Sequence, residues 1–340
     1  MAAASADLLE LVTAHRGVRH DLGDGDQGQL TEIKRFFEQQ RGSKPLDTAV
    51  RCYRNPWLKD WYQGGENTDQ DWYCLDQERW MLYEYIFFLY RVKLPTFLCE
   101  PQPVKSRPFI YVQVPVDLTK IPDDHEYLRL QPEARHWNLI PQALKCDFLE
   151  PFVHALAWAS ARRIESATSS HLVLILDSSG YSCHLGGHTL SFRISVPEFC
   201  VSRQTALNVA KDAVQFLRRR RLASEPWVNL ENVESIVRQE AFGEDMWHPL
   251  VYCCWSGRYM QEARLLEPFA LLHVVLDGDR FEYEPLEELT RSLKREEWIR
   301  LGSTWSESPY ESVVNEAGRG LCRPTSFGVA KRDLMSVSHG

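Results

Sequence analysis

Residues 172–199, with the sequence LVLILDSSGYSCHLGGHTLSFRISVPEF, decide the fold of this chain. Residues 172–176 are all apolar, which is typical of a short strand buried inside a sheet. A polar turn follows at residues 177–180, and residues 190–196 then alternate between apolar and polar side chains, as a second strand does. The stretch therefore predicts a hairpin-like pair of strands that presents its inter-strand side chains on one sheet face.

Further strands and helices flank this pair on both sides. Residues 109–114 and 269–276 are rich in β-branched and aromatic side chains and predict strands, while residues 141–163 predict a long helix. An amphipathic helix follows over residues 202–221, with Ser202 as its N-cap. Its apolar face is formed by Ala206, Val209, Ala210, Ala213, Val214 and Leu217. The alternation of strands and helices predicts an α/β (α+β) fold, in which a mixed β-sheet is layered with helices.

Other segments give less regular patterns. The Gly- and Asp-rich residues 22–28 predict a turn or mobile loop before a helix at residues 29–41. Residues 45–76 mix Trp, Tyr and Gly and predict an aromatic loop region, whereas residues 77–90 have helical spacing. The charged run over residues 282–300 predicts a solvated helix.

Three contiguous regions follow from these patterns. Residues 1–104 form an N-terminal helical and aromatic-rich region, residues 105–301 an α/β core, and residues 302–340 a polar, extended tail. Within the core, residues 230–242 predict a second helical stretch and residues 249–255 a strand.

The charge of the chain limits its partners. The 340 residues carry a formal net charge of −8, so the average field of the protein repels nucleic-acid phosphates, and any contact with nucleic acid must be a local basic patch. The longest apolar run, residues 80–90, is shorter than the roughly 20 residues that a membrane span requires. The N-terminus also lacks the pattern of a secretory signal. We therefore expect no membrane contact.

The cysteines indicate a reducing compartment. Nine cysteines without CxxC spacing are scattered through apolar segments, which is typical of core cysteines rather than of disulfides. We expect an intracellular protein, in the cytoplasm, the nucleus or an organelle matrix, or within a viral particle. Cys183, His184 and His188 lack a fourth ligand at a recognisable spacing, so no metal site is predicted there.

Two parts of the central stretch resemble a known motif. Residues 176–179 (LDSS) end the first strand, and residues 188–194 (HTLSFRI) begin the second. Together they resemble the second motif region of the archaeo-eukaryotic primase-polymerases, where a strand ending in LDSS precedes a basic-x-Ser-x-His pattern that binds nucleotide phosphate. The resemblance implies a primase-polymerase-like core, a link to DNA replication, and phosphate binding by His188, Ser191 and Arg193. A guanidinium can take the place of the usual histidine, because it also clamps phosphate bidentately.

The carboxylates of the same family's first motif are missing. That motif is a strand ending in Asp-x-Asp or Asp-x-Glu, which holds divalent metals, but the strand at residues 109–114 ends in Gln113 and continues to Pro115. Asp117 is out of register, and a third motif has a loose counterpart at Asp245. A Gln/Pro pair cannot hold two metals, so the resemblance implies a degenerate active site without a cofactor.

A basic cluster ends the helix over residues 202–221. It consists of Arg218, Arg219, Arg220 and Arg221, and Lys211 lies on the same element. These cations can stabilise the negative end of the helix macrodipole, or they can form a patch that binds nucleic-acid phosphates. The sequence leaves both interpretations open.

Three functions are therefore considered. The first is a nucleic-acid- or nucleotide-binding, non-catalytic subunit, and it depends on Arg193 reaching an open cleft. The second is a structural or interaction subunit of a large assembly, such as a viral particle or a ribonucleoprotein, whose Trp-rich residues 53–73 and polar tail contact protein partners. The third is an active primase-polymerase, a nucleotidyltransferase whose Mg²⁺ or Mn²⁺ would bind to Asp117, Asp177 and Asp245 as catalytic residues.

Overall fold

Helices and strands both build the structure, a computed structural model, which confirms the predicted α+β class. It describes residues 24–39, 49–53, 71–75, 79–92, 98–101, 105–120, 142–164, 170–182, 187–220, 222, 224, 226–238, 242, 247–255, 264–277, 280–286, 289, 293–303, 313–314 and 320–321. The α-helices are α1 (Asp24–Gln39), α2 (Arg79–Arg91), α3 (Gln142–Arg163), α4 (Arg203–Arg220), α5 (Val233–Ile236) and α6 (Arg295–Gly302). The predicted helices at residues 77–90, 141–163 and 202–221 are confirmed to within two residues at each end.

Every pairing between the described strands is antiparallel. The strands are β1 (Ala49–Tyr53), β2 (Asp71–Leu75), β3 (Cys99–Pro101), β4 (Lys105–Ser106), β5 (Phe109–Val116), β6 (Ser170–Asp177), β7 (Gly180–Ser182), β8 (Gly187–Ser195), β9 (Val201–Ser202), β10 (Trp247–Pro249), β11 (Cys254–Trp255), β12 (Arg264–Leu265), β13 (Glu267–Asp277), β14 (Arg280–Pro285), β15 (Val313–Val314) and β16 (Gly320–Leu321). The sheets are therefore built from hairpins and returning strands rather than from parallel crossover units.

The chain forms two compact units, and it enters each of them more than once. The first unit contains Met1–Pro101, Trp247–Leu266 and Lys294–Arg300, and the second contains Gln102–Met246, Glu267–Leu293 and Leu301–Gly340. The three predicted regions are contiguous, whereas these units are not.

A four-stranded sheet and two helices characterise the first unit. The strand order is β10-β3-β1-β2. Helix α1 contacts α2 where the Tyr85 hydroxyl donates to Glu32 at 3.1 Å and where Arg91 bonds Asp26 at 3.1 Å. Phe36 also meets the Tyr85 ring edge-on at 5.1 Å between centroids. These contacts fix a helix whose own sequence is a poor helix former.

The second unit is organised around one sheet with the order β14-β13-β6-β8-β5. The two strands of the central stretch, β6 and β8, are neighbours, and β5 pairs with the other edge of β8 over its whole length. The short strand β7 folds back onto the start of β8. The predicted hairpin-like pair is thus confirmed, and it lies in the sheet interior, as the apolar run in β6 predicts.

Helices α3 and α4 cover one face of this sheet. The Phe148 ring of α3 lies 6.1 Å from the Phe192 ring of β8, so Phe192 lies on the helix-covered face together with Leu190 and Ile194, two residues away on either side. All six residues of the predicted apolar face of α4 are buried. Ser202 caps this helix as predicted, because its Oγ accepts a hydrogen bond from the Thr205 amide at 3.1 Å.

The outer edge of β5 is covered by the segment that contains α5. Isolated bridges join Val112 to Val237 and Val116 to Val228, and the Arg238 amide donates to the Tyr111 carbonyl at 2.9 Å. Helix α5 has only four residues, so the predicted helix over residues 230–242 is wrong. Hydrogen bonding to an exposed sheet edge replaces helical bonds here, since the apolar residues of this segment pack beside β5.

Helix α1 begins five residues earlier than predicted, inside the Gly-rich residues 22–28. Asp24 and Asp26 lie in its first turn, where carboxylates are stabilised by the positive end of the helix dipole. Gly25 and Gly28 face open space, so they weaken the helix without distorting it. The turn prediction gave too much weight to glycine and too little to the contacts with α2.

Two further predictions are wrong in part, because strand pairing between distant segments was not foreseen. Residues 45–76 contain β1 and β2, which pair with each other across an intervening segment that lies outside the described residues. The predicted helix at residues 282–300 is wrong at its start, which lies in β14, because Phe281 and Tyr283 alternate with Glu282 and Glu284 at the period of a strand and pair with β13. Its end is helical, since α6 covers residues 295–300. In both segments, hydrogen bonding to a partner strand stabilises the strand conformation.

The predicted strand over residues 249–255 is interrupted. Strand β10 ends at Pro249, and the chain turns at residues 251–253 before β11. No described helix is both long and apolar enough to cross a lipid bilayer.

Candidate functional site

The structure brings two of the three predicted motif regions together on one sheet. Gln113 of β5 lies opposite Ser191 of β8, and Tyr111 lies opposite Arg193. These four side chains share the face that is turned away from α3 and α4, because they alternate with the apolar residues of the helix-covered face. The strand that follows the counterpart of the third motif, Trp247–Pro249, pairs with β3. Asp245 lies outside the described residues.

Ser178 and Ser179 of the LDSS sequence form hydrogen bonds with both the backbone and the side chain of Ser191. The Ser178 amide donates to the Ser191 carbonyl at 2.8 Å, and the Ser178 hydroxyl donates to the Ser191 hydroxyl at 3.1 Å. In return, the Ser191 amide donates to the Ser179 hydroxyl at 3.0 Å. Ser191 is buried, so its hydroxyl belongs to an internal network that holds the turn after β6 against β8.

Arg193 is also an internal residue in this structure. It is 1% exposed, and its guanidinium donates to the Gly302 carbonyl and, at 3.2 Å, to the Tyr111 hydroxyl. Phosphate binding at Arg193 requires an accessible guanidinium, and this one does not reach solvent. Ser191 and Arg193 therefore act as structural residues in this conformation, because buried polar groups are retained where hydrogen bonds satisfy them.

A second arginine holds the same stretch of backbone. Arg107 is 1% exposed and donates from Nη1 to the carbonyls of Leu301 at 2.6 Å and Ser303 at 2.9 Å. Carbonyls at the end of a helix carry partial negative charge, which favours cations there. Arg107 and Arg193 together fix residues 301–303. Sequence patterns gave no sign of this contact, because it joins positions far apart in the chain.

The place of a metal-binding carboxylate is taken by a neutral amide. Arg238 donates from Nη1 to the Gln113 Oε1 at 3.0 Å, and both side chains are half-buried. A guanidinium at this distance repels a divalent cation, and the amide supplies only one weak oxygen ligand. The donor set around Gln113 therefore does not fit Mg²⁺ or Mn²⁺.

Two of the predicted catalytic aspartates, Asp117 and Asp177, accept hydrogen bonds from residues close to them in the chain. Asp117 is half-exposed and accepts hydrogen bonds from the amide and the hydroxyl of Thr119 at 3.1 and 2.5 Å. These bonds, and then the Lys120 ammonium, lower the pKa of Asp117. The Asp177 carboxylate accepts from the Ser179 amide at 2.7 Å. Among the described residues, no group of three or more His, Cys, Asp or Glu side chains could hold a metal ion. Metal binding by Asp117, Asp177 and Asp245 stays a prediction.

His188 lies at the start of β8, opposite Val116 and Tyr181. Burial lowers the pKa of His188 below its ordinary value, so the imidazole is neutral at pH 7. A neutral imidazole offers no charge to a phosphate. Cys183 and His184, which precede it, lie outside the described residues.

The basic end of α4 is the accessible part of the predicted site. Lys211, Arg218, Arg219 and Arg220 are all exposed, and Arg221 lies outside the described residues. Arg218 forms a surface ion pair with Glu234 at 3.0 Å, an arrangement of small energetic value between exposed groups. The patch is therefore open to a ligand.

Two arginines of this region lie over aromatic rings. Arg162 of α3 lies over Trp158, 5.3 Å from the ring centroid, and Arg220 of α4 lies over Phe216 at 5.0 Å. The two rings are themselves 5.0 Å apart. We call Arg162, Arg219 and Arg220 the helix-pair surface. Each stacked pair has an aromatic residue four positions before an arginine, a helical spacing that could have identified it from the sequence.

Comparison of the sequence with models of known protein families gives no match, and comparison with curated proteins gives none either. The geometry of the described residues is therefore the basis for assigning a function.

Proposed function

We propose that this chain is a non-catalytic nucleic-acid-binding protein, and that the helix-pair surface, rather than the buried Arg193, contacts the phosphate backbone. The observation that carries the proposal is the stacking of Arg162 and Arg220 over two rings that touch each other. An aromatic ring holds a guanidinium in place while leaving its N–H groups directed outward. Such a guanidinium loses less conformational entropy when it binds a phosphate.

The local charge supports the same role. Helix α4 carries five cationic side chains and one carboxylate, in a chain whose net charge is −8. That carboxylate, Asp212, is buried, and Arg163 binds it through two hydrogen bonds at 2.6 and 2.9 Å. The negative charge is thus compensated internally, and the exposed cations of α4 determine the potential at this surface.

Two features support a non-catalytic role. Gln113 and Arg238 lie where the resemblance would require a metal-binding carboxylate, and a cation beside a metal site opposes metal binding. Arg193, which the resemblance assigns to the nucleotide phosphate, is bonded to Gly302 instead. In the proposed function the sheet is a scaffold for α3 and α4.

Fluorescence polarisation with a labelled oligonucleotide tests this function. The full chain is titrated at several salt concentrations, since phosphate contacts make the affinity fall as salt rises. Salt-dependent binding that the double variant Arg219→Ala/Arg220→Ala weakens is expected. Equal binding by the parent and this variant would contradict the proposal, as would the absence of binding at low salt.

An interaction subunit is a second candidate, and one observation in the first unit favours it. Trp80 is 46% exposed and the adjacent Met81 is 39% exposed, both at the start of α2. Large apolar side chains that face solvent side by side are typical of protein–protein contacts. Sedimentation over a concentration series, comparing the parent with Trp80→Ser/Met81→Ser, tests whether this pair mediates self-association. If the parent and the variant both sediment as monomers at every concentration, Trp80 and Met81 do not mediate self-association. Within the Trp-rich residues 53–73, Trp57 and Trp61 lie outside the described residues, and Trp72 lies in β2.

A further inference from the structure

A continuous chain of rings leads from the helix-pair surface to the edge of the sheet. Phe216 contacts His154 at 4.8 Å between centroids, and His154 stacks on Phe281 at 4.1 Å with only 5° between the planes. Phe281 in turn lies 5.6 Å from Tyr283 on β14. We call these residues, with Trp158, the ring chain. Its first rings are covered by Arg162 and Arg220, and its last ring is exposed.

Tyr283 is unusual among the described side chains. It is 44% exposed, and the other exposed large apolar residues, Trp80 and Met81, belong to the first unit. A single exposed ring is common on protein surfaces and needs no explanation on its own. Tyr283, however, lies at one end of the ring chain, and Arg162 and Arg220 lie over the rings at the other end. Tyr283 and Arg220 therefore border the same surface.

We propose that Tyr283 is a base-stacking residue, and that the ligand of the helix-pair surface is single-stranded nucleic acid. This inference rests on the proposed function. Sites for single strands combine cations that follow the backbone with aromatic rings on which bases stack. The bases of a duplex are already stacked on each other, so their faces are not available to a side chain. An exposed ring beside a basic surface therefore favours single-stranded nucleic acid over a duplex as the ligand.

The acidic residues of β14 do not oppose this arrangement. Side chains alternate along a strand, so Glu282 and Glu284 lie on the sheet face opposite Tyr283. Glu284 is directed toward His273, 3.4 Å away. The phosphates of a strand whose base stacks on Tyr283 would lie on the face that carries α3 and α4, where Arg220 is located.

The test compares Tyr283→Ala with Tyr283→Phe, which keeps a ring without the hydroxyl. Loss of one stacked base should weaken binding of a single-stranded oligonucleotide by about 5- to 150-fold, whereas the phenylalanine variant should bind within about twofold of the parent. An abasic oligonucleotide of the same length has the same phosphates and no bases. Its affinity should be the same for the parent and for Tyr283→Ala, and so should the affinity of a duplex.

The results separate this inference from the proposed function. Unchanged binding of the single strand by Tyr283→Ala, with binding still lost in Arg219→Ala/Arg220→Ala, would overturn base stacking and leave phosphate binding intact. A parallel loss for single strand, abasic strand and duplex would indicate a folding defect in the variant and would also overturn the inference, because the tyrosine would then act through structure. Failure of the parent to bind any of the three ligands would overturn the proposed function itself.

Discussion

The guanidinium of Arg193 donates a hydrogen bond to the main-chain carbonyl of Gly302, which lies 109 residues further along the chain. With Arg107, it fixes the backbone of residues 301–303 to the β5–β8 part of the sheet. A residue that the sequence pattern assigns to ligand binding therefore supports the fold.

Replacing Arg193 with Met should lower the free energy of unfolding by about 2–4 kcal/mol, since it removes buried hydrogen bonds to a charged donor and leaves their acceptors unsatisfied. Urea denaturation followed by circular dichroism measures this change. Arg219→Ala, at an exposed position, should change it by less than about 0.5 kcal/mol. An Arg193→Met protein with parental stability and reduced oligonucleotide affinity would instead make Arg193 a ligand-binding residue.

Helix α1 should become more stable when its glycines are replaced. At Gly25 and Gly28 an added Cβ meets no atom within 4 Å, so alanine brings only its higher helix propensity, about 0.5–1 kcal/mol at each position. Thermal unfolding of Gly25→Ala/Gly28→Ala should show a higher midpoint than the parent. Gly180, with φ of 155°, is the contrasting position, because an L side chain rarely adopts that conformation. Gly180→Ala should destabilise the protein, and stabilisation there would contradict the backbone geometry described.

The buried imidazole of His154 should make stability depend on pH. Burial, and then the charge of Arg220, lower the pKa of His154 from 6.5 to about 4. Between these values the unfolded chain binds a proton that the folded protein does not, so stability is fully present above about pH 6.5 and falls as the pH drops toward 4. The loss should be on the order of 3–4 kcal/mol, because each tenfold change in proton affinity corresponds to about 1.4 kcal/mol.

A His154→Phe variant isolates this contribution, because a phenyl ring retains contact with Phe281 and Phe216 and does not titrate. The difference in unfolding free energy between pH 7.5 and pH 4.5 should be smaller in the variant than in the parent. The same difference in both proteins would show that His154 does not control this pH range.

The second unit was predictable from its sequence to a large extent. The apolar run in β6, the alternation in β8 and the six-residue face of α4 each reflect local periodicity, and all three are confirmed in the structure. The hydrogen bond from Arg193 to Gly302 could not be predicted in this way, because periodicity contains no information about contacts between distant segments. The same holds for β14, whose strand conformation depends on pairing with β13.

The candidate site was predictable in part. The basic end of α4 was identified from four consecutive arginines, and the exposed positions of Arg218, Arg219 and Arg220 are as a phosphate patch requires. Motif similarity identified Ser191 but did not indicate that Ser178 and Ser179 bind it internally. A pattern of residue types cannot distinguish a hydroxyl that contacts a ligand from one that joins two strands.

The salt dependence of single-stranded oligonucleotide binding tests the central claim most directly, with Arg219→Ala/Arg220→Ala compared with Lys105→Ala/Lys120→Ala. Both variants remove two exposed cations from the second unit, but only the first pair belongs to the helix-pair surface. We predict that the slope of log K against log salt decreases in magnitude by about 1.4 in the arginine variant, at about 0.7 for each lost phosphate contact, and stays at the parental value in the lysine variant. Equal slopes in the two variants would contradict phosphate binding by α3 and α4.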